Sequence, residues 1–246
     1  IPEGMEAAVI AARQAIAAGK PLGYSMTEIM QRVAAQKEAD IAANLVRRQA
    51  EVPGTAGRQA VIDGDLTDGL WIAAVHLDPF VGVFGTKPGE LKARTEARLA
   101  WDADHLYVAV ECDEPTGKLE IVGQRRDDSV WMGDSLDLFV TAEPSGSPYY
   151  HFILSPKNVQ WDARFDLTNE MSWDPTWQSA TKIGEKWWRA EMAIPWAALK
   201  IQPRPGLTLR FNLCRQRRAQ GGELSSWSQV LTGFMEPAHF GTIVLK

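Results

Sequence analysis

Alternating apolar and polar positions run through most of the chain after residue 59. In one such segment, 135–141, the apolar residues on one face are Leu136, Leu138 and Val140. Asp137 and Phe139 fall on the opposite face. A two-residue period is typical of a strand with one buried side. The segment is therefore predicted to be a strand that directs Asp137 away from the core.

Similar segments, separated by turn signals, predict ten strands. They are Thr95–Trp101, His105–Cys112, Lys118–Arg126, Ser135–Thr141, Tyr149–Ser155, Val159–Asp166, Trp187–Ile194, Leu207–Arg215, Leu224–Val230 and Gly241–Leu245. A short helix is predicted at Pro195–Leu199, where proline is tolerated in the first turn. Many short strands with regular turns predict an all-β fold, a two-sheet antiparallel β-sandwich of the jelly-roll or immunoglobulin-like kind.

The first fifty residues have a helical pattern instead. A first amphipathic run ends at Gly19, and a second begins with a capping box formed by Ser25 and Glu28. This pattern predicts an N-terminal α-helical hairpin. We assign residues 1–52 to this hairpin or to a linker from a larger multimodular protein, and residues 58–246 to the sandwich.

Composition narrows the classes of function. The net charge of −5 over 246 residues argues against nucleic acid or an anionic membrane as a partner, since both require concentrated positive charge. No apolar run approaches the length of a membrane span. Alternation places Cys112 on an apolar, core-facing side of its strand and Cys214 on the polar side of its strand. A disulfide between them is therefore not expected.

The segment 126–140 combines candidate binding groups. Trp131 lies in an acid-rich loop that ends at Gly133, and Asp137 follows on the next strand. An aromatic plate beside a carboxylate can recognise a small polar ligand with an apolar ring face. The alternative is a core tryptophan and a solvated acid.

Five phrases together resemble one family. They are VIDGDLTDGLW (61–71), ARLAWDADHLYVAVECDEP (97–115), RDDSVWMGDSLDLFV (126–140), WRAEMAIPWAAL (188–199) and SSWS followed by FMEPAHFGTIVLK near the end. Their content, order and spacing resemble the family 9 carbohydrate-binding modules, over about residues 60–246. The resemblance implies a non-catalytic sugar-binding sandwich in a secreted protein, extracellular or periplasmic. It also implies two partners, a plant-type poly- or oligosaccharide and an adjacent polysaccharide-degrading catalytic module.

The resemblance also implies site residues. Trp131 and Phe234 take the places of two rings that clamp a sugar, and Asp137 takes the place of a hydrogen-bonding glutamate. Ile153 and Cys214 stand where the family has an arginine and a glutamine that read hydroxyls, so the family's sugar specificity does not carry over. The expected additional contacts are His151, Asn212, Gln216 and Trp173, the last either as an exposed ring or as a loop anchor.

Family members also bind calcium in their loops, which makes structural calcium a candidate cofactor. The acidic loop residues that could bind it are Asp63, Asp65, Asp68, Asp113 and Glu114. Calcium prefers carboxylate and carbonyl oxygens on flexible loops. The chain has no EF-hand spacing, so the alternative of solvated turn acids stays open.

Two other functions remain open. Relatives of this sandwich hold haem, for which the candidate axial ligands are Met132, Met235, His151 and His239. A structural spacer with no ligand is the other alternative. Catalysis has little support, because the acids clustered at 127–134 are more typical of metal or water binding than of a glycosidase pair.

Overall fold

In this computed structural model the described residues are 43–83, 90–166, 169–170 and 172–246, with scattered positions between 10 and 41. Two compact units divide the chain, Ile1–Leu45 and Val46–Lys246. In the first unit residues 13–17 are helical, and Gly19, with a φ of 64°, follows the last turn as predicted. The predicted capping box of Ser25 and Glu28 lies outside the described residues. Among the described helices none is long and apolar enough to cross a membrane.

The second unit is built almost entirely of strands. In chain order they are β1 (Gln49–Val52), β2 (Val75–Leu77), β3 (Val81–Gly82), β4 (Thr95–Trp101), β5 (His105–Asp113), β6 (Ser135–Thr141), β7 (Tyr149–Leu154), β8 (Gln160–Phe165), β9 (Asn169–Glu170), β10 (Gln178–Ile183), β11 (Trp187–Pro195), β12 (Thr208–Arg217), β13 (Glu223–Ser226) and β14 (Gly241–Leu245). Two short helices, α1 (Gly69–Ala73) and α2 (Trp196–Leu199), and 3-10 turns at Val130–Met132, Ala219–Gly221 and Pro237–His239 connect them.

These strands form two sheets. The larger has the order β1-β14-β12-β6-β7-β8-β9, with β13 paired to β12 and β3 paired to β13. The smaller has the order β10-β11-β5-β4-β2. Every described pair is antiparallel except β1 with β14. The predicted two-sheet all-β architecture is therefore confirmed, with one parallel pair added at an edge of the larger sheet.

The main core fills the space between the sheets. Alternate side chains of the larger sheet, such as Leu136, Leu138 and Phe152, pack against Val108 and Ile194 of the smaller one. Each fully buried side chain of this kind contributes about 1.5–3 kcal/mol relative to exposure. The alternation in the sequence thus corresponds to the inner faces of both sheets.

Several predicted elements match the structure closely. The bounds of β4, β6 and β14 are those predicted, and α2 occupies the predicted helix at 195–199. Both cysteines are free and buried, Cys112 in the main core and Cys214 in a separate cluster, so the expectation of no disulfide is confirmed.

The prediction of a strand at Lys118–Arg126 is wrong. This segment is irregular, and its Glu120 amide donates to the carboxylate of Asp134 at 2.5 Å instead of to a neighbouring strand. The carbonyl of Glu120 accepts the Asp134 amide at 2.6 Å. A side chain has replaced the strand partner here, which the apolar pattern does not reveal.

Two other strands of the structure, β10 and β1, were not predicted from the sequence. β10 reads QSATKI and lies at the edge of the smaller sheet, so it lacks the apolar face that identifies a buried strand. β1 lies within the segment that the sequence analysis assigned to the hairpin or linker, yet it pairs with β14 from the other end of the chain. A partner so remote in sequence leaves no local signal.

Candidate functional site

A second apolar layer covers the outer face of the larger sheet, the face turned away from the smaller sheet. We call it the outer cluster; its members are Val130, Phe139, Tyr149, Ile153, Val159, Trp161, Ala163, Phe165, Cys214 and Phe240. Phe139 lies between Leu138 and Val140 of the main core, so alternation directs it outward. Two loops border this cluster, and they carry Trp131 and Phe234.

Trp131 lies in the 3-10 turn that precedes β6. Its side chain is 36% exposed, and its ring meets Trp161 of the outer cluster edge to face at 5.4 Å. The amide of Gln216, on β12, donates to the carbonyls of Trp131 and Gly133. The ring of Trp131 is therefore accessible to solvent, while Gln216 holds the backbone of its loop and Trp161 packs against the ring.

The beginning of the same loop is anchored by Arg126. Its guanidinium donates to the carboxylates of Asp162 at 2.5 Å and of Asp174 at 2.7 Å, and to the carbonyl of Pro175 at 2.9 Å. Burial raises the pKa of Asp162 to about 6, against the opposing effects of Trp177 and Arg126. The loop that carries Trp131 is thus held at both ends.

Phe234 lies in a loop organised by Glu236. The carboxylate of Glu236 accepts from the amide of Leu231 at 2.6 Å and from the amide and hydroxyl of Thr232 at 2.9 and 2.7 Å. It also contacts Nδ1 of His239 at 3.0 Å. Burial acts to raise the pKa of Glu236, but these hydrogen bonds outweigh it and hold the pKa below its usual value. Phe234, at the tip of this loop, is half-buried against the outer cluster.

Asp137 and His151 lie on the neighbouring strands β6 and β7, on the outer face of the larger sheet. Asp137 Oδ1 is 2.9 Å from His151 Nε2, and Asp137 Oδ2 accepts from the Ser135 hydroxyl at 3.2 Å. The residues are only 5% and 4% exposed, and the His151 ring stacks on Phe139 at 4.1 Å. Asp137 does face outward from the sheet, as predicted, but it is buried there together with His151 and is not exposed to solvent.

Asn212 and Gln216, the other predicted contacts on β12, have structural partners. The Asn212 amide donates to the carbonyl of Ser228 at 2.9 Å, and its oxygen accepts the Ser228 amide at 3.0 Å. Asn212 is fully buried, so it ties the 228 segment to the sheet and we leave it out of the proposed site. Gln216 borders the site through the loop of Trp131.

Trp173 belongs to the other side of the sheet. Its ring packs against Tyr150 at 4.9 Å and Phe152 at 5.5 Å, both members of the main core. The structure therefore supports the loop-anchor interpretation of Trp173 and not the exposed-ring one, because its neighbours point between the sheets.

The loop acids near α1 do not converge on a common point. The Asp63 carboxylate accepts the Asp65 amide at 2.8 Å, Asp68 accepts the Val61 amide at 3.1 Å, and Asp65 lies 3.3 Å from Lys182 Nζ. The centre of this loop is occupied by Glu191, a buried carboxylate that the sequence analysis missed. It accepts from the amides of Asp63 and Gly64 and from the indole of Trp71.

Glu114 is engaged elsewhere. Its carboxylate accepts two hydrogen bonds of 2.7 Å from Arg217 and one of 2.6 Å from the Thr116 hydroxyl. In the described part of the chain no three His, Cys, Asp or Glu residues are grouped so as to hold a metal ion. Asp63, Asp65, Asp68, Asp113 and Glu114 therefore do not fit a shared calcium site, and calcium binding stays a prediction from the resemblance.

The candidate haem ligands differ in their exposure to solvent and in the partners of their side chains. Met132 and Met235 are exposed, whereas His151 is buried against Asp137 and His239 contacts Glu236. Trp161 and Glu236 were also not predicted to belong to the site. The register of β8 could have identified Trp161, since it shares an outward face with Ala163 and Phe165. Glu236 left no signal, because its partners lie in irregular backbone.

The fold of the chain is similar to that of several solved structures. Its fold is similar to a protein from Bacteroides uniformis ATCC 8492 proposed to bind carbohydrate (TM-score 0.66, 18% identity, 81% of this chain and 100% of the other). It is also similar to a family 9 carbohydrate-binding module from Caldicellulosiruptor kristjanssonii, solved with cellotriose (TM-score 0.56, 18% identity, 81% and 94%) and with glucose (TM-score 0.55, 17% identity, 81% and 96%). At these identities the likeness shows the fold.

No curated protein matches the chain. The family model described as carbohydrate family 9 binding domain-like matches residues 62–246, a range that contains every described strand of the two sheets except β1. The match spans three quarters of the sequence and contains both rings and the outer cluster. The chain therefore belongs to the carbohydrate family 9 binding domain-like family, a family of non-catalytic binding modules.

Proposed function

We propose that the sandwich binds a saccharide between Trp131 and Phe234, with Asp137 as an acceptor for a sugar hydroxyl. The observation that carries this proposal is the exposure of Trp131, which is 36% exposed at the edge of an otherwise buried aromatic layer. A pyranose has apolar C–H faces that pack on such a ring. A held ring also loses little conformational freedom on binding.

Asp137 contributes the polar part of the proposal. His151 and Ser135 each contact one of its two carboxylate oxygens. A carboxylate has about four lone-pair sites, so acceptor capacity remains for a hydroxyl. Because Asp137 is only 5% exposed, a sugar hydroxyl would reach it through a narrow opening, and the shape of that opening would then select the sugar.

Family membership supports the proposal of a wider role. Family 9 modules from Caldicellulosiruptor kristjanssonii have been solved with cellotriose and glucose. We extend this to plant-type glycans here, with the module directing an attached polysaccharide-degrading enzyme to them outside the cytoplasm. Pull-down on insoluble cellulose, and comparison of the intact protein's activity on insoluble and dissolved substrate, test this part.

Calorimetry with glucose and cellotriose tests the site itself. Trp131→Ala should weaken cellotriose binding about tenfold or more, because an aromatic anchor is lost. Trp187→Ala is the matched control, since Trp187 is a half-buried tryptophan on the smaller sheet, with Arg189 over its ring at 4.4 Å. Equal affinity of both variants with the parent chain would contradict the proposed site.

A further inference from the structure

Two arginine side chains meet at the carbonyl of Ala238. Arg210, on β12, donates from Nη2 to the carbonyl oxygens of Pro237 at 2.8 Å and of Ala238 at 3.0 Å. Arg47 donates from Nη1 to the same Ala238 oxygen, also at 3.0 Å. The two guanidinium groups therefore lie side by side, since each contacts one shared atom.

In the described part of the chain, this pair of positive charges has no carboxylate partner. Among the described residues neither Arg47 nor Arg210 forms an ion pair. Burial lowers the pKa of Arg210, and the charge of Arg47 lowers it further. The smaller of these two effects is repulsion between the two cations, and an anion placed beside both guanidinium groups would oppose it.

The hydrogen-bonding capacity that the pair has left lies mainly on Arg47, because Arg210 also donates from Nη1 to the carbonyl of Pro144 and from Nη2 to that of Phe240, both at 3.4 Å. A guanidinium has five N–H donors in a planar fork that matches a carboxylate or a sulfate. Arg47 is exposed and uses only Nη1 on the described part of the chain. The Nε of Arg210 is buried without a partner among the described residues.

The position of the pair relates it to the proposed sugar site. Arg210 alternates with Asn212 and Cys214 on the outward side of β12. The carbonyls that it binds follow Phe234 in the same loop. An anion held here would lie on the Phe234 side of the outer cluster.

We propose that Arg47 and Arg210 form a subsite for an anionic group of a saccharide, such as the carboxylate of a uronic acid. This inference rests on the proposed function for the saccharide, but the anion site has its own observations. The opposing interpretation is that both arginines only hold the carbonyls of the 237–240 segment.

Calorimetry at low salt with glucose, glucuronate and inorganic sulfate tests the subsite. Glucuronate should bind about fivefold more tightly than glucose, the magnitude of a solvent-exposed ion pair. Added sodium chloride should reduce this preference without affecting glucose. Arg47→Gln should abolish it, and Arg47→Lys should retain part of it.

Arg58→Gln is the matched control, because Arg58 is exposed and also donates from Nη1 to a main-chain carbonyl, that of Thr55. Equal affinity for glucuronate and glucose in the parent chain, or a preference that survives Arg47→Gln, would overturn the subsite and leave the proposed function intact. Arg47-dependent sulfate binding without binding of either sugar would support the anion site and contradict the proposed function.

Discussion

Asp137 Oδ1 lies 2.9 Å from Nε2 of His151, and both side chains are more than nine-tenths buried on the outer face of the larger sheet. The two strands place them diagonally, since Phe139, two residues after Asp137, lies directly opposite His151. Cross-strand neighbours of this kind are within reach of long side chains. The pair fixes the carboxylate orientation on which the proposed sugar contact depends.

Removing His151 should destabilise the fold. His151→Ala leaves the Asp137 carboxylate buried without its nitrogen partner and removes the ring stacked on Phe139. We expect the free energy of unfolding to fall by about 3 kcal/mol, measured by urea denaturation. His76→Ala is the control; its side chain is about half exposed, and its contact with Glu96 should contribute less than about 1 kcal/mol. Similar losses in both variants would show that the buried pair has no special role.

Gln216 should affect binding more than stability. Its amide holds the carbonyls of Trp131 and Gly133, so Gln216→Ala frees one end of the loop. We expect cellotriose affinity to fall about three- to tenfold, because the ring must then be ordered on binding. Amides 130–133 should exchange faster with solvent. Gln202→Ala, at an exposed position, should change neither quantity, and unchanged exchange in Gln216→Ala would contradict the anchoring role.

Asp162 should make stability depend on pH. Burial raises its pKa in the folded protein from 3.8 to about 6, so the folded state binds a proton more readily than the unfolded state. Its contribution is therefore complete below about pH 4 and is lost as the pH rises through 6. The difference in free energy of unfolding between the parent chain and Asp162→Asn should change over this range. A difference that is constant from pH 4 to 7 would be inconsistent with a raised pKa.

Glu114 should show the opposite dependence. Burial acts to raise its pKa, but hydrogen bonds from Arg217 and Thr116 outweigh this effect and hold the pKa below 4.5. The contribution of Glu114 is thus present above about pH 4.5 and is lost on acidification. Glu114→Gln should lower the free energy of unfolding at neutral pH by about 3 kcal/mol, because it leaves the buried Arg217 charge without its partner. A loss that does not diminish at acidic pH would argue against this pairing.

The strands that could be predicted from the sequence are those in which one face is apolar and the other is polar. β4 and β6 alternate cleanly, and their bounds are correct. β10 is polar along its length and was missed, because an edge strand need not bury an apolar face. The region 118–126 was misassigned because the decisive contact comes from the Asp134 side chain.

The sequence likewise predicted some features of the candidate site and not others. Local pattern placed Asp137 on the outward face and Trp131 in the adjacent loop, and both positions are correct. The burial of Asn212 depends on the 228 segment, which folds over β12 from a later part of the chain, and the burial of Asp137 depends on its pairing with His151; no local pattern contains either contact. The position of Trp173 also depends on contacts that are distant in sequence, because its ring packs against Tyr150 and Phe152 of the main core.

Nuclear magnetic resonance titration of the 15N-labelled chain with cellotriose tests the binding face most directly. The proposed function predicts saturable shifts that are largest for the indole of Trp131 and the amides of Gly133, Asp137 and Phe234, with the buried indole of Trp188 unchanged. Trp131→Phe assigns the indole signal. Saturable shifts confined to the smaller sheet, or none at millimolar sugar, would contradict the claim that a saccharide binds between these two loops.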